Sequence, residues 1–199
     1  MSLSLGRAGL EISAEIRETA NRFTSRFNPD LRMDNRFIDR AEKIDFAAER
    51  NDCSWSQKPG GSLGRPNMET DAGRMAAARL SEFKLDGIRF RDGEPDFGRC
   101  SLAKVEIDVT GNYAKDKLRA DKALARQWDT EKPKPDGTRW TFREVRVWAY
   151  ENNLELHHDS DMKTMRYVPA EIHGYYRHMG GVAEIKCRDE VRNGSRFDD

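Results

Sequence analysis

A chain of 199 residues has room for one domain, or one domain with a helical extension, but not for two full enzymatic domains. Charged residues make up 35% and hydrophobic residues 37%, with a mean hydropathy of −0.89, which excludes a large multi-layer core. Lys plus Arg and Asp plus Glu each number 35, so no global basic field advertises nucleic acid and any phosphate-binding surface has to be local. Apolar runs are only a few residues long, so no transmembrane helix and no membrane insertion is expected. The N-terminus lacks a basic region followed by an apolar one and does not read as a secretory signal.

In chain order, Ile12, Ile16, Ala20, Phe23 and Phe27 recur at helical spacing and predict an amphipathic helix over Glu11 to Phe27. Asn28-Pro29-Asp30 breaks it. Phe37, Ile38, Ala41, Ile44 and Ala48 predict a second helix, capped by Asp34 or Asn35 and paired with the first as a helical hairpin. Asn51 to Gly73 is rich in Gly, Pro, Ser and Asn and reads as an irregular connection, with a short helical stretch around Met75 to Leu80. The expected organisation is a helical extension over 1–80 and a functional domain over 81–199.

Within that domain, Gly-centred turns predict irregular or short hairpin structure from Lys84 to Gly98. Val105, Ile107 and Val109 alternate with charged residues and predict a strand over 103–109. Lys115 to Trp128 carries a thin apolar stripe of Leu118, Ala120, Leu124 and Trp128, the pattern of a surface helix. Thr141 with Glu144 three residues later is a capping box opening a helix that Asn152-Asn153 closes. Leu154 to His158 and Thr164 to Val168 then read as two strands joined by a turn, followed by a helix from Pro169 that Gly180-Gly181 ends.

All four histidines, His157, His158, His173 and His178, fall in one window of 22 residues inside this strand, strand, helix unit. Imidazole is both a common ligand for transition metals and the usual general base near neutral pH. The three cysteines, Cys53, Cys100 and Cys187, form no CxxC pair, so neither a disulfide framework nor a thiolate zinc site is supported. Without thiolates the cluster fits an ion left partly open, and open coordination positions imply chemistry.

Leu156-His157-His158, then Lys163-Thr164-Met165, Val168-Pro169, Ile172-His173-Gly174 and His178 before Gly180-Gly181, resembles the HNH/endonuclease VII superfamily nuclease domains of bacterial polymorphic toxins, of the LHH or WHH type. The likeness extends over residues 83–186, whereas residues 1–80 carry no recognised motif. It implies an α+β fold built on a ββα-metal (HNH or His-Me finger) core at about 154–181. The implied activity is metal-dependent endonuclease cleavage of nucleic acid, DNA favoured over RNA. His158 would be the general base, with His157 as the alternative base. His157, His173 and His178 would ligate one divalent ion, Zn2+, Mg2+, Mn2+ or Ni2+, with phosphate contact as the other role open to His178. No residue is assigned the role of orienting the base. Lys163, Arg166 and Arg177 are the nucleic-acid-binding candidates beside the signature.

The same resemblance implies an antibacterial toxin or effector made in the bacterial cytoplasm. It would be neutralised by an immunity protein and delivered into a target-cell cytoplasm by a non-Sec route, with a secretion-system adaptor as a further partner. A different class of reading is a non-catalytic, metal-stabilised module that binds nucleic acid or protein, which would unfold on chelation and turn nothing over.

Overall fold

The computed structural model describes residues 37–192, and the helix expected over Glu11 to Phe27, with its hairpin pairing, lies outside them. The first described helix, α1 (Arg40–Arg50), starts later than its apolar spacing suggests. Its cap is Asp39, whose carboxylate accepts the Ala41 and Glu42 amides, rather than Asp34 or Asn35. Phe37 and Ile38 precede it with their amides donated to the Glu184 carboxylate, so they are held by a tertiary contact and not by the helix.

The stretch 51–73 is not irregular. It forms β1 (Cys53–Trp55) and β2 (Leu63–Pro66), an antiparallel pair, and then enters α2 (Asp71–Glu82). Of the glycines and prolines that suggested a linker, Gly64 and Pro66 lie in β2 itself, and others are turn or close-approach residues. Gly60, at φ +66°, packs where a side chain would meet the Ile44 carbonyl. β3 (Ile88–Arg91) and β4 (Glu94–Pro95) complete a four-stranded sheet in the order β1-β2-β3-β4, and a 3-10 turn at Phe97–Arg99 follows. The short hairpin structure expected for this stretch is what forms.

A second sheet has the order β5-β7-β6, all antiparallel, from β5 (Ala103–Glu106), β6 (Leu154–His158) and β7 (Thr164–Pro169). The ladder of β5 stops at Glu106, short of the expected 109, although burial still alternates through Ile107 and Val109. Two helices cover one face of this sheet: α3 (Tyr113–Glu131) and α4 (Phe142–Glu151). Val105, Leu124, Trp128, Val145, Leu156, Met165 and Tyr167 make the core between them. On the other face, Val168 joins Ile172 and Tyr176 in a second core with Ala47, Leu80, Ile88, Phe90 and Phe97, so residues from both sides of position 80 pack together. The architecture is mixed α+β with small antiparallel sheets.

The capping box is present in full: the Thr141 hydroxyl accepts the Glu144 amide and Glu144 accepts the Thr141 amide at 2.8 Å. The Lys134 ammonium and then the Thr141 hydroxyl and amide hold the Glu144 carboxyl down at about 2. An unfolded Glu titrates near 4.5, so the unfolded chain binds more protons between those values. The stability from this contact is therefore full above about pH 4.5 and lost as pH falls toward 2. Thr141→Ala is expected to cost about 1 kcal/mol in urea unfolding at neutral pH, with a smaller difference from the parent at pH 3.

After β7 the chain forms α5 (Ala170–Tyr175), which is shorter than expected. Tyr176 leaves the helix at φ −90°, ψ 94°, and Gly180-Gly181 does not end a helix but leads into another, α6 (Gly181–Arg192). The glycines serve close packing: a Cβ at Gly181 would lie 2.3 Å from the Asp159 carbonyl, so the start of α6 presses on the end of β6.

Candidate metal centre

The pleat of the β6-β7 hairpin sorts the two adjacent histidines. Leu156 pairs with Tyr167 and His158 with Met165 across the ladder, and these four face α3. His157 pairs with Arg166 and faces the other way, onto Phe97 and α5, with Glu155 two residues earlier on the same face. The strand thus sends one imidazole to each side.

On the α5 side His157 meets His173, from α5, and His178, from the segment after it. The helix ends between these two, which removes the obstacle that a spacing of five residues on a continuous helix would have posed. The three ring centroids lie 4.8–5.6 Å apart, and the Phe97 ring stands 4.9–5.7 Å from each, closing one side. One nitrogen from each of the three lies within 4.8 Å of the others, so together they could hold a metal ion. Nδ1 of His157 and Nε2 of His178 are 3.2 Å apart, close to the ~3.3 Å that two imidazoles at tetrahedral Zn–N distances subtend.

Proton bookkeeping shows that the donor set fits a cation. His178 Nδ1 lies 2.9 Å from the Tyr176 carbonyl, an oxygen that only accepts, so that nitrogen carries the proton and Nε2 presents a lone pair. His157 Nε2 lies 3.3 Å from the Asp159 carboxylate. If it donates there, its Nδ1 also presents a lone pair, and two lone pairs face each other at 3.2 Å. If instead Nδ1 carries the proton, a lone pair faces a carboxylate. A second proton on His157 would satisfy both contacts, but burial holds that ring well below its ordinary value, with the neighbouring imidazoles acting in the same direction. A cation between the rings removes the conflict. His173 follows the same pattern, with Nδ1 2.9 Å from Glu155, so each ring turns one nitrogen inward and anchors the other on an oxygen.

His158 occupies the opposite face and is buried, with Nε2 3.2 Å from Oδ2 of Asp116. Asp116, in the first turns of α3, is fully buried and accepts the Thr110 amide and hydroxyl at 2.8 and 2.7 Å and the Gly111 amide at 3.1 Å. Burial lowers the His158 ring from its ordinary value, opposed by the Asp116 contact. With Nε2–H donated to Asp116, the ring keeps one lone pair, on Nδ1.

All four histidines line one cavity of about 630 Å3, together with Tyr113, Arg177 and Lys186. His157 and His178 also line a second cleft of about 500 Å3, walled by Arg91, Arg166 and several carboxylates. Of the expected phosphate-binding residues, Arg177 is exposed in the first cavity and Arg166 lies in the second, where its Nε is spoken for by Asp159 at 2.8–2.9 Å. Lys163 sits exposed at the hairpin turn and lines neither. Tyr167 and Tyr176 are core residues with hydroxyls given to Asp121 and the Gly64 carbonyl, and Tyr175 holds the Asn67 amide and the Asp52 carbonyl. Burial pushes the Cys53 and Cys100 thiols up to about 12, which leaves them unreactive.

Sequence reasoning missed Asp116 and Asp159. Asp116 falls four residues before Ala120 in the stripe that continues through Leu124 and Trp128, but as a carboxylate in a polar helix it was not counted among the inward positions. Glu155 was within reach, since strand alternation places it on the face of His157.

Acid should therefore weaken the ion-free protein. Burial pushes His178 down to about 4, and His157 also lies below its unfolded value near 6.5. The unfolded chain thus binds more protons from about pH 6.5 down to 4, and stability falls as pH falls across that window. The His178 contribution is on the order of 3 kcal/mol. Asp159, pushed up to about 6 by burial, acts in the opposite sense below pH 6, one carboxyl against three imidazoles, since the His158 ring is lowered as well. Melting temperatures in a chelator are expected to drop between pH 6.5 and 4, and His178→Gln should flatten that drop.

Among the described residues no helix is long and apolar enough to cross a membrane. Compared with protein-family models and with curated proteins, the chain matches none, so the arrangement of its own residues carries the functional argument.

Proposed function

We propose that the protein is a metal-dependent endonuclease of the HNH type, its β6-β7 hairpin and α5 serving as the ββα core. The observation that supports this reading is the division of labour in one cavity. Three imidazoles converge with inward lone pairs, while a fourth, His158, stands on the other face of the same strand against a buried carboxylate. His157, His173 and His178 would hold a divalent ion, which when bound supplies Lewis-acid stabilisation of a phosphate and its leaving oxygen.

The chain's own residues do the rest. Asp116 accepts the Nε2 proton of His158 and fixes its tautomer, leaving Nδ1 to take a proton from the attacking water. Glu155, Asp159 and the Tyr176 carbonyl orient the three ligand rings. Arg177 and Lys186, on the rim of the cavity, carry positive charge to where a phosphodiester would lie. Of the two residues considered for the base, this favours His158, because His157 is committed to the ion. DNA is the first substrate to test, with RNA beside it. The setting we infer from the sequence resemblance is a toxic effector restrained by an immunity protein, with an adaptor for non-Sec delivery.

Purified protein incubated with plasmid DNA and with RNA, in EDTA and in Mg2+, Mn2+, Ni2+ or Zn2+, tests the reading. Metal-dependent cleavage that EDTA abolishes is the expected result. Folded, metal-loaded protein that cuts neither polymer would overturn it and leave a metal-stabilised binding module.

A further inference from the structure

The neutral chain hides a segregated patch of charge. On α3, Lys115, Arg119, Lys122 and Arg126 fall at spacings of four, three and four, within an arc of about 60° at 100° per residue. All four are exposed and lie opposite the buried stripe of Asp116, Ala120, Asp121, Leu124, Ala125 and Trp128. The row runs about 16 Å along the helix at 1.5 Å per residue. Its first member, Lys115, sits between Tyr113, which lines the histidine cavity, and Asp116, which holds His158.

At the far end the row enters a cleft of about 430 Å3 in which Lys122 and Arg126 are joined by Arg139 and Arg143, over the rings of Trp140 and Phe142. The one acidic residue lining that cleft, Asp129, is already engaged, its Oδ1 accepting the Trp140 amide at 2.7 Å. Among the described residues Lys115, Lys122, Arg126, Arg139 and Arg143 form no ion pair, and Arg119 donates only to the Asp108 carbonyl. A solvated helix face ordinarily mixes signs to gain i,i+4 pairs; this one is mostly cationic, and the neighbouring Asp129 accepts the Trp140 amide and pairs with none of the row.

We infer that Lys115, Arg119, Lys122 and Arg126 on α3, continued by Arg139 and Arg143, form a track that binds the phosphate backbone of a nucleic-acid strand leading away from the histidine cavity. The inference rests on the nuclease reading and extends it. Cations in a row at about 4.5–6 Å along the axis suit a repeating polyanion. Such contacts hold the polymer in register without reading its sequence.

The test uses the full chain carrying His158→Ala, so that bound polymer survives, and measures affinity for a DNA duplex across a salt series by fluorescence anisotropy. Lys122→Gln/Arg126→Gln/Arg139→Gln/Arg143→Gln in that background is expected to flatten the slope of log affinity against log salt by about 3–4, at about 0.9 per lost phosphate contact. Exchanging the same four residues between Lys and Arg should keep the slope, and unchanged melting of both variants guards against misfolding. A slope unaltered by the Gln substitutions, a slope lost equally in the Lys/Arg exchange, or displacement of DNA by polyglutamate as readily as by a second duplex would each overturn the track. In the His158-intact chain, hydrolysis of bis(4-nitrophenyl) phosphate, too small to reach the track, should be untouched by the four Gln substitutions. That activity separates the two claims: its presence with an unaltered slope overturns the track alone, and its absence together with absent cleavage of DNA and RNA overturns the nuclease reading and the track with it.

Discussion

His158→Ala is expected to lower phosphodiester cleavage by about 10²–10⁴-fold, the usual worth of a positioned general base, while the protein keeps its ion. Retention of the ion follows from the pleat: His158 faces α3 and the three ligand rings lie on or beyond the other face of β6. Asp116→Asn is the sharper companion. The carboxylate accepts the Nε2 proton, whereas an amide nitrogen at that place donates to Nε2 and drives the ring proton onto Nδ1. The base is then present but blocked. The expected signature is a fall in kcat of about 10²–10⁴-fold with KM and metal content held. Activity at the parent level in either variant, measured on plasmid DNA with the ion bound, would remove His158 from the chemistry and return attention to His157.

What could be read in advance divides along physical lines. Local signals were faithful. The Thr141-Glu144 box, the turn between His158 and Thr164 and the alternation around Val105 each depend on residues a few positions apart, and each formed. Clustering of the histidines was visible because strand, turn and helix follow one another directly, so that neighbours in sequence remain neighbours in space.

The failures came where tertiary contact decides. Gly180-Gly181 has the composition of a helix end, yet it opens α6, because the backbone of β6 presses on it. The Gly and Pro content of 51–73 suggested a linker, but long-range pairing with β3 makes it part of a sheet. On α3 the expected apolar stripe was thin because two of its buried positions are Asp116 and Asp121, one bound to His158 and the other to Tyr167 and Arg146. An apolar count cannot see a buried carboxylate, and here the missed carboxylate belongs to the site. The outward face of the same helix was legible in the spacing of Lys115, Arg119, Lys122 and Arg126, but these cations are balanced by acids elsewhere in the chain, so the net charge hides them.

Lys43→Met is expected to cost about 3–5 kcal/mol, a large share of the roughly 5–15 kcal/mol that holds a domain of this kind. Lys43 is 1% exposed on α1 and its ammonium lies between Glu184 of α6, which is 0% exposed, and Glu94 of β4. Glu184 also accepts the Phe37 and Ile38 amides, and Glu94 accepts the Ser160 hydroxyl in the turn just after the histidine pair. Removing the cation leaves a carboxylate with no countercharge in a place water does not reach, so the penalty is that of a stranded charge. Neutralising the partners as well should then recover most of the loss: Lys43→Met/Glu94→Gln/Glu184→Gln keeps an acceptor for the Phe37 and Ile38 amides and strands no charge. Urea unfolding of the three proteins at pH 7 measures this, and a single variant that costs under about 1 kcal/mol would mean the triad is open to solvent. Because Ser160 hangs on Glu94, the single variant should also loosen the hairpin that carries His157. Zn2+ affinity measured by competition with a chromogenic chelator is expected to fall with stability in Lys43→Met and to return with it in the triple variant.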